Sequence, residues 1–91
     1  MIPPPEILRA KFTVSLHRRV GELQEMLDRN DLDSAERAFH SLAGIGGTYG
    51  FPEVTNLARM AELLCPARGR AEIDEIFANL WEMAASLREA A

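Results

Sequence analysis

Residues 31–50 read Asp-Leu-Asp-Ser-Ala-Glu-Arg-Ala-Phe-His-Ser-Leu-Ala-Gly-Ile-Gly-Gly-Thr-Tyr-Gly. Asp33 is a good N-cap, with Glu36 at the capping-box spacing, so a helix is expected to begin near Ser34. Ala35, Ala38, Phe39, Leu42, Gly46 and Tyr49 recur at helical spacing and carry it to about Thr48 or Tyr49. Three glycines within residues 44–47 oppose that reading locally, because each interior glycine costs a helix roughly 0.5–1 kcal/mol relative to alanine. A segment that is helical by pattern and yet gives up about 2 kcal/mol needs a reason outside helix propensity.

Working outward, the chain alternates apolar-periodic stretches with proline and glycine breaks. Leu8, Phe12, Leu16, Val20, Leu23 and Leu27 place one face of a helix over about Pro5 to Arg29, entered through Pro3-Pro4-Pro5 and followed by a turn at Asn30 to Leu32. Pro52-Glu53 opens a third helix that buries Val54, Leu57, Ala58, Ala61 and Leu64, with Pro66 expected to end it. A fourth, from about Arg70 to Arg88, carries Ile73, Ile76, Phe77, Leu80, Ala84 and Leu87. Trp81 falls one step off that stripe, as expected of a residue at a helix junction. Short loops make sequential helices neighbours, so the expected fold is all-α, an antiparallel up-and-down four-helix bundle formed by residues 1–91 as a single domain.

Composition narrows the function. Ten basic against fourteen acidic side chains leave a net charge of −4, which argues against a nucleic-acid partner. No apolar run is long enough to span a membrane, and the amino-terminal residues lack the order of a secretory signal, so a cytoplasmic protein is expected. The single cysteine, Cys65, and two isolated histidines supply neither a disulfide nor a tetrahedral zinc site, and no metal or cofactor is expected on the chain itself. The glycine cluster lacks the Gly-Lys-Ser/Thr of a phosphate loop and the third glycine of a dinucleotide fingerprint. Adjacent Ser41 and His40 diverge by about 100° and cannot form a nucleophile and base pair.

What remains is His40. At 100° per residue the core direction of its helix lies near Ala35, Leu42 and Gly46, so the imidazole is expected to point to solvent. Glu36, Arg37, Ala43, Gly44 and Gly47 are expected on the same outward face, where almost no bulk would hinder a partner approaching the ring. Gly46, on the inner side, is expected to allow close helix packing. His17 has no such surround and reads as a surface or rim residue.

The segment His40-x-Leu42-Ala43-Gly44-x-x-x-x-x-Gly50 resembles the signature of histidine-containing phosphotransfer (HPt) domains, in which histidine is followed by x-Leu-Lys-Gly and a later glycine. The run Asp31 to Phe39 is similar to the lead-in to that histidine, and the likeness extends over roughly Phe12 to Leu87. The resemblance implies a monomeric phosphorelay carrier. His40 would take a phosphoryl group from an aspartyl phosphate on a response-regulator receiver domain, or work with a hybrid histidine kinase, and pass the group to another receiver. Glu36, Arg37, Ala43, Gly44 and Gly47 would form the docking surface, and the required Mg²⁺ would sit on the receiver. One departure stands out: Ala43 occupies the place of the family's lysine, removing a positive charge near the phosphoryl group. Arg37, or Arg59 if the third helix leans across, are the cations available to replace it. The alternative under the same resemblance is a bundle that is not phosphorylated and only binds a kinase or response regulator.

Overall fold

The structure, a computed structural model, describes residues 5–90, with side chains over residues 6–87. Four helices follow one another: α1 Pro5–Asp28, α2 Leu32–Thr48, α3 Pro52–Ala67 and α4 Arg70–Ala90. Each packs on its neighbours in the chain, and α4 closes back onto α1, with α2 and α3 forming the closest pair. The expected four-helix bundle is therefore present. The proline entrance at Pro3 and Pro4 lies outside the described residues. Among the described residues no helix is long and apolar enough to cross a membrane.

The apolar stripes meet along the bundle axis. Phe12, Leu16 and Leu23 of α1, Phe39 and Leu42 of α2, Val54 of α3, and Ile73 and Leu80 of α4 are completely buried. The upper end of the core is closed by aromatic rings, with Phe12 stacked on Phe51 at 4.2 Å between centroids and tilted against Tyr49 at 5.7 Å. Trp81 corrects an expectation: it lies within α4, half exposed and tilted against Phe77, rather than at a junction.

Two boundaries also differ from the reading of the sequence. Asp31, not Asp33, caps α2: its carboxylate accepts the Ser34 backbone N–H at 3.2 Å, and helix begins at Leu32. Starting the helix there puts Leu32 in the core at 4% exposure, and Asp33 is left in the first turn to favour the positive end of the helix dipole. Pro66 does not end α3. It lies inside the last turn, and the helix closes at Arg68, which takes the left-handed conformation (φ 58°) while its N–H bonds the Cys65 carbonyl and that of Gly69 bonds the Leu64 carbonyl.

The α2–α3 contact is set by one glycine. A Cβ on Gly46 would stand 2.6 Å from Thr55 Oγ1 and 3.2 Å from the Phe51 carbonyl oxygen. Thr55 is itself fixed there, its hydroxyl donating to the Ala43 carbonyl at 2.8 Å in a buried contact. Gly46 thus permits the close helix approach expected of it.

Candidate functional site

His40 lies midway along the face of α2 that α1 and α4 leave open, and its side chain is 77% exposed. The ring is not free to rotate at will. Nδ1 lies 2.8 Å from Oε2 of Glu62 on α3, whose own side chain is only 26% exposed. A carboxylate can only accept, so Nδ1 carries the hydrogen and donates it. In the neutral ring Nε2 is then left with its lone pair toward solvent.

The sequence-expected neighbours divide into two flanks. Arg37 and Gly44 are exposed on one flank of His40, Arg37 clear of α3 and Gly44 at the edge of the α2–α3 groove. Glu36, Ala43 and Gly47 lie on the α3 side, where Glu36 is half-buried and Gly47 stays exposed. Ala43 is the correction. It is buried at 5% exposure rather than outward-facing, because it is rotated about 60° from His40 toward α3, and α3 covers that flank. Ala43 instead forms part of the floor of a groove between α2 and α3, lined also by His40, Gly44, Arg59, Glu62 and Leu63. Arg37 is outside this groove, with its guanidinium donating to Ser34 Oγ at 3.3 Å.

The three glycines of α2 have different grounds. Gly46 is demanded by packing, as above. A Cβ on Gly44 would meet nothing within 4 Å, and one on Gly47 would meet only Thr55 Oγ1 at an ordinary 3.8 Å. Nothing inside the molecule requires glycine at 44 or 47, so their helix cost is not offset by internal packing. They leave the backbone bare for a turn and more beside His40.

Glu62 and the groove position of Arg59 were missed or left open by sequence reasoning, although a signal exists. In an antiparallel pair joined by a short loop, residues equidistant from the loop face each other. His40 and Glu62 stand equal numbers of residues either side of Phe51, as do Ala43 and Arg59, and Gly47 and Thr55.

The remaining candidates do not join the site. His17 on α1 is partly buried, and its Nε2 is buried without a hydrogen-bond partner among the described residues. Cys65 is buried at 2% exposure, and desolvation, reinforced by the charges of Glu36, Glu62 and Asp33, pushes its thiol up to about 11. A thiol so disfavoured as thiolate is not a nucleophile at neutral pH.

No curated protein and no solved structure gives a significant match to the chain. The family model described as the Hpt domain matches residues 7–90, nearly the whole chain, and so takes in α2 with its solvent-facing histidine and the helices that pack around it. The chain belongs to the Hpt-domain family, whose members serve histidine phosphotransfer in two-component phosphorelays.

Proposed function

We propose that this protein is a phosphorelay carrier in which His40 Nε2 accepts a phosphoryl group from the aspartyl phosphate of a receiver domain and returns it to the aspartate of another. The observation that carries the reading is the exposed imidazole held through Nδ1 by Glu62, with bare glycine backbone on the following turns. In the forward step the Nε2 lone pair forms the N–P bond while the P–O bond to the donor aspartate breaks, and that electron pair returns to the donor carboxylate. The ring becomes cationic and keeps its Nδ1 hydrogen, which the Glu62 carboxylate stabilises. Onward transfer reverses the sequence: the N–P pair returns to Nε2 and the ring is neutral again. No proton need enter or leave.

The receiver supplies the Mg²⁺ and acidic pocket that offset charge on the moving phosphoryl group, so this chain needs only to present the ring at the right angle. Arg37, Gly44 and Gly47 form the exposed part of the docking face, with Glu36 and Ala43 bordering the groove beside it. The carrier works as a monomer in the cytoplasm, between receivers or between a hybrid histidine kinase and a receiver.

The test is transfer of labelled phosphate from phosphorylated receiver domains of the same cell to the wild type and to His40→Gln. Acid-labile, base-stable label is expected on the wild type alone. A receiver that binds the wild type but never labels it would replace this reading with a binding-only module, for which Ala43 in the lysine position is the specific argument.

A further inference from the structure

The groove beside His40 contains a single cationic side chain, Arg59. Among the described residues it makes no side-chain hydrogen bond and no ion pair. It stands opposite Ala43 in the pairing that sets His40 against Glu62, one helical turn along α3 from Glu62. Ala43 contributes only a buried methyl group to the floor, so Arg59 and His40 line the same groove, with Gly44, Glu62 and Leu63, without a bulky residue at position 43.

The electrostatics of the phosphorylated ring give this placement a purpose. A phosphoryl group adds about two negative charges near pH 7, and here they arrive beside the carboxylate that already holds Nδ1. Like charges within a few ångströms destabilise the loaded state unless a cation stands between or beside them. A guanidinium is suited to the task because its planar fork meets two phosphoryl oxygens at once and it stays charged throughout. Arg37 does not compete for the role, being directed to Ser34 on the far flank.

We propose that Arg59 binds the phosphoryl group carried by His40 Nε2, so that one helix, α3, supplies both the acceptor for Nδ1 and the counter-charge for the phosphoryl oxygens. This rests on the carrier reading of His40. Arg59 donates hydrogen bonds without losing a proton, and the transfer itself remains the exchange of one P–O bond for one N–P bond.

The test uses the intact protein and phosphoramidate, a small anionic donor that releases ammonia as Nε2 takes the phosphoryl group. Loading of His40 is followed by ³¹P NMR for the wild type, Arg59→Gln and Arg59→Lys. Arg59→Gln is expected to load about tenfold more slowly, the scale of one lost charge-assisted hydrogen bond, whereas Arg59→Lys, which keeps the charge, is expected to lose no more than about threefold. The difference between wild type and Arg59→Gln should shrink as salt is raised, a response that a purely structural role would not produce. Loading of Arg59→Gln at the wild-type rate, or equal slowing in both variants, would overturn the assignment of Arg59 while leaving His40 as acceptor. Absence of any phosphohistidine on the wild type would overturn both.

Discussion

His40 donates its Nδ1 hydrogen to Glu62 across the seam between α2 and α3, at 2.8 Å, with the imidazole largely in solvent and the carboxylate largely withdrawn from it. One helix presents the imidazole, and its neighbour decides which nitrogen is free. Glu62→Ala should therefore shift the neutral ring toward the form with hydrogen on Nε2, and slow phosphoryl uptake by about tenfold or less given the exposure of the pair. Glu62→Gln, whose amide oxygen still accepts the hydrogen, should fall between. Nitrogen-detected NMR of the ring measures the tautomers directly, and an unchanged ratio in Glu62→Ala would remove Glu62 from the mechanism.

Gly44 and Gly46 should respond to alanine with opposite signs. At Gly44 the added methyl meets open space, so the fold should gain roughly 0.5–1 kcal/mol from helix propensity while phosphoryl exchange with a receiver slows. At Gly46 the methyl collides with Thr55 and the Phe51 carbonyl, and a loss of about 1–3 kcal/mol is expected. Urea unfolding of the two variants reads both signs in one experiment. A destabilised Gly44→Ala would mean that its glycine serves the fold and not a partner.

The α2 cap makes stability depend on acid. The hydroxyl and then the backbone N–H of Ser34 hold the Asp31 carboxyl below its ordinary value of 3.8. A group whose pKa is lowered on folding stabilises the fold above its unfolded value and loses that contribution as pH falls through the folded one. Asp31→Asn keeps the cap but cannot titrate, so wild type and variant should run parallel above about pH 5 and converge or cross below pH 4. Thermal melts between pH 3 and 7 test this, and parallel curves throughout would show that Asp31 carries none of the acid sensitivity.

Cys65 should be silent to thiol reagents in the native state. Its burial and raised pKa leave almost no thiolate at pH 8, so reaction with a disulfide reagent should be slower than for a free cysteine by at least about a hundredfold and recover on unfolding in urea. Rapid native labelling would mean that α3 opens locally at its carboxyl end.

The four helices were legible because each keeps its apolar spacing from end to end, and Gly50, Pro52 and Gly69 mark two of the joins although other glycines and Pro66 lie within helices. The α2 cap was not, since Asp31 and Asp33 are chemically alike and the choice turns on whether Leu32 enters the core. His40 was legible as an exposed histidine with small neighbours. Ala43 was misplaced because the width of a helix's buried arc depends on how closely the next helix approaches, and here Gly46 and Thr55 set that distance. Glu62 sits just off the apolar stripe of α3 and has no chemical label of its own. Only its distance from Phe51, matched to that of His40, ties the two together.

The tight join at Gly46 has a kinetic consequence. Because α2 and α3 are locked together by packing and by the Thr55 hydroxyl, the spacing between the imidazole, its carboxylate and the groove is fixed before any partner arrives. The relative placement of the two helices is settled once, on folding, rather than at every encounter. Docking then becomes a meeting of preformed surfaces, with little backbone movement and no waiting for a rare conformer. In the carrier role proposed above, meeting one partner, leaving it and meeting another would gain from this directly, since the rate of each visit would be governed by diffusion and orientation, and departure would not wait for a fold to relax.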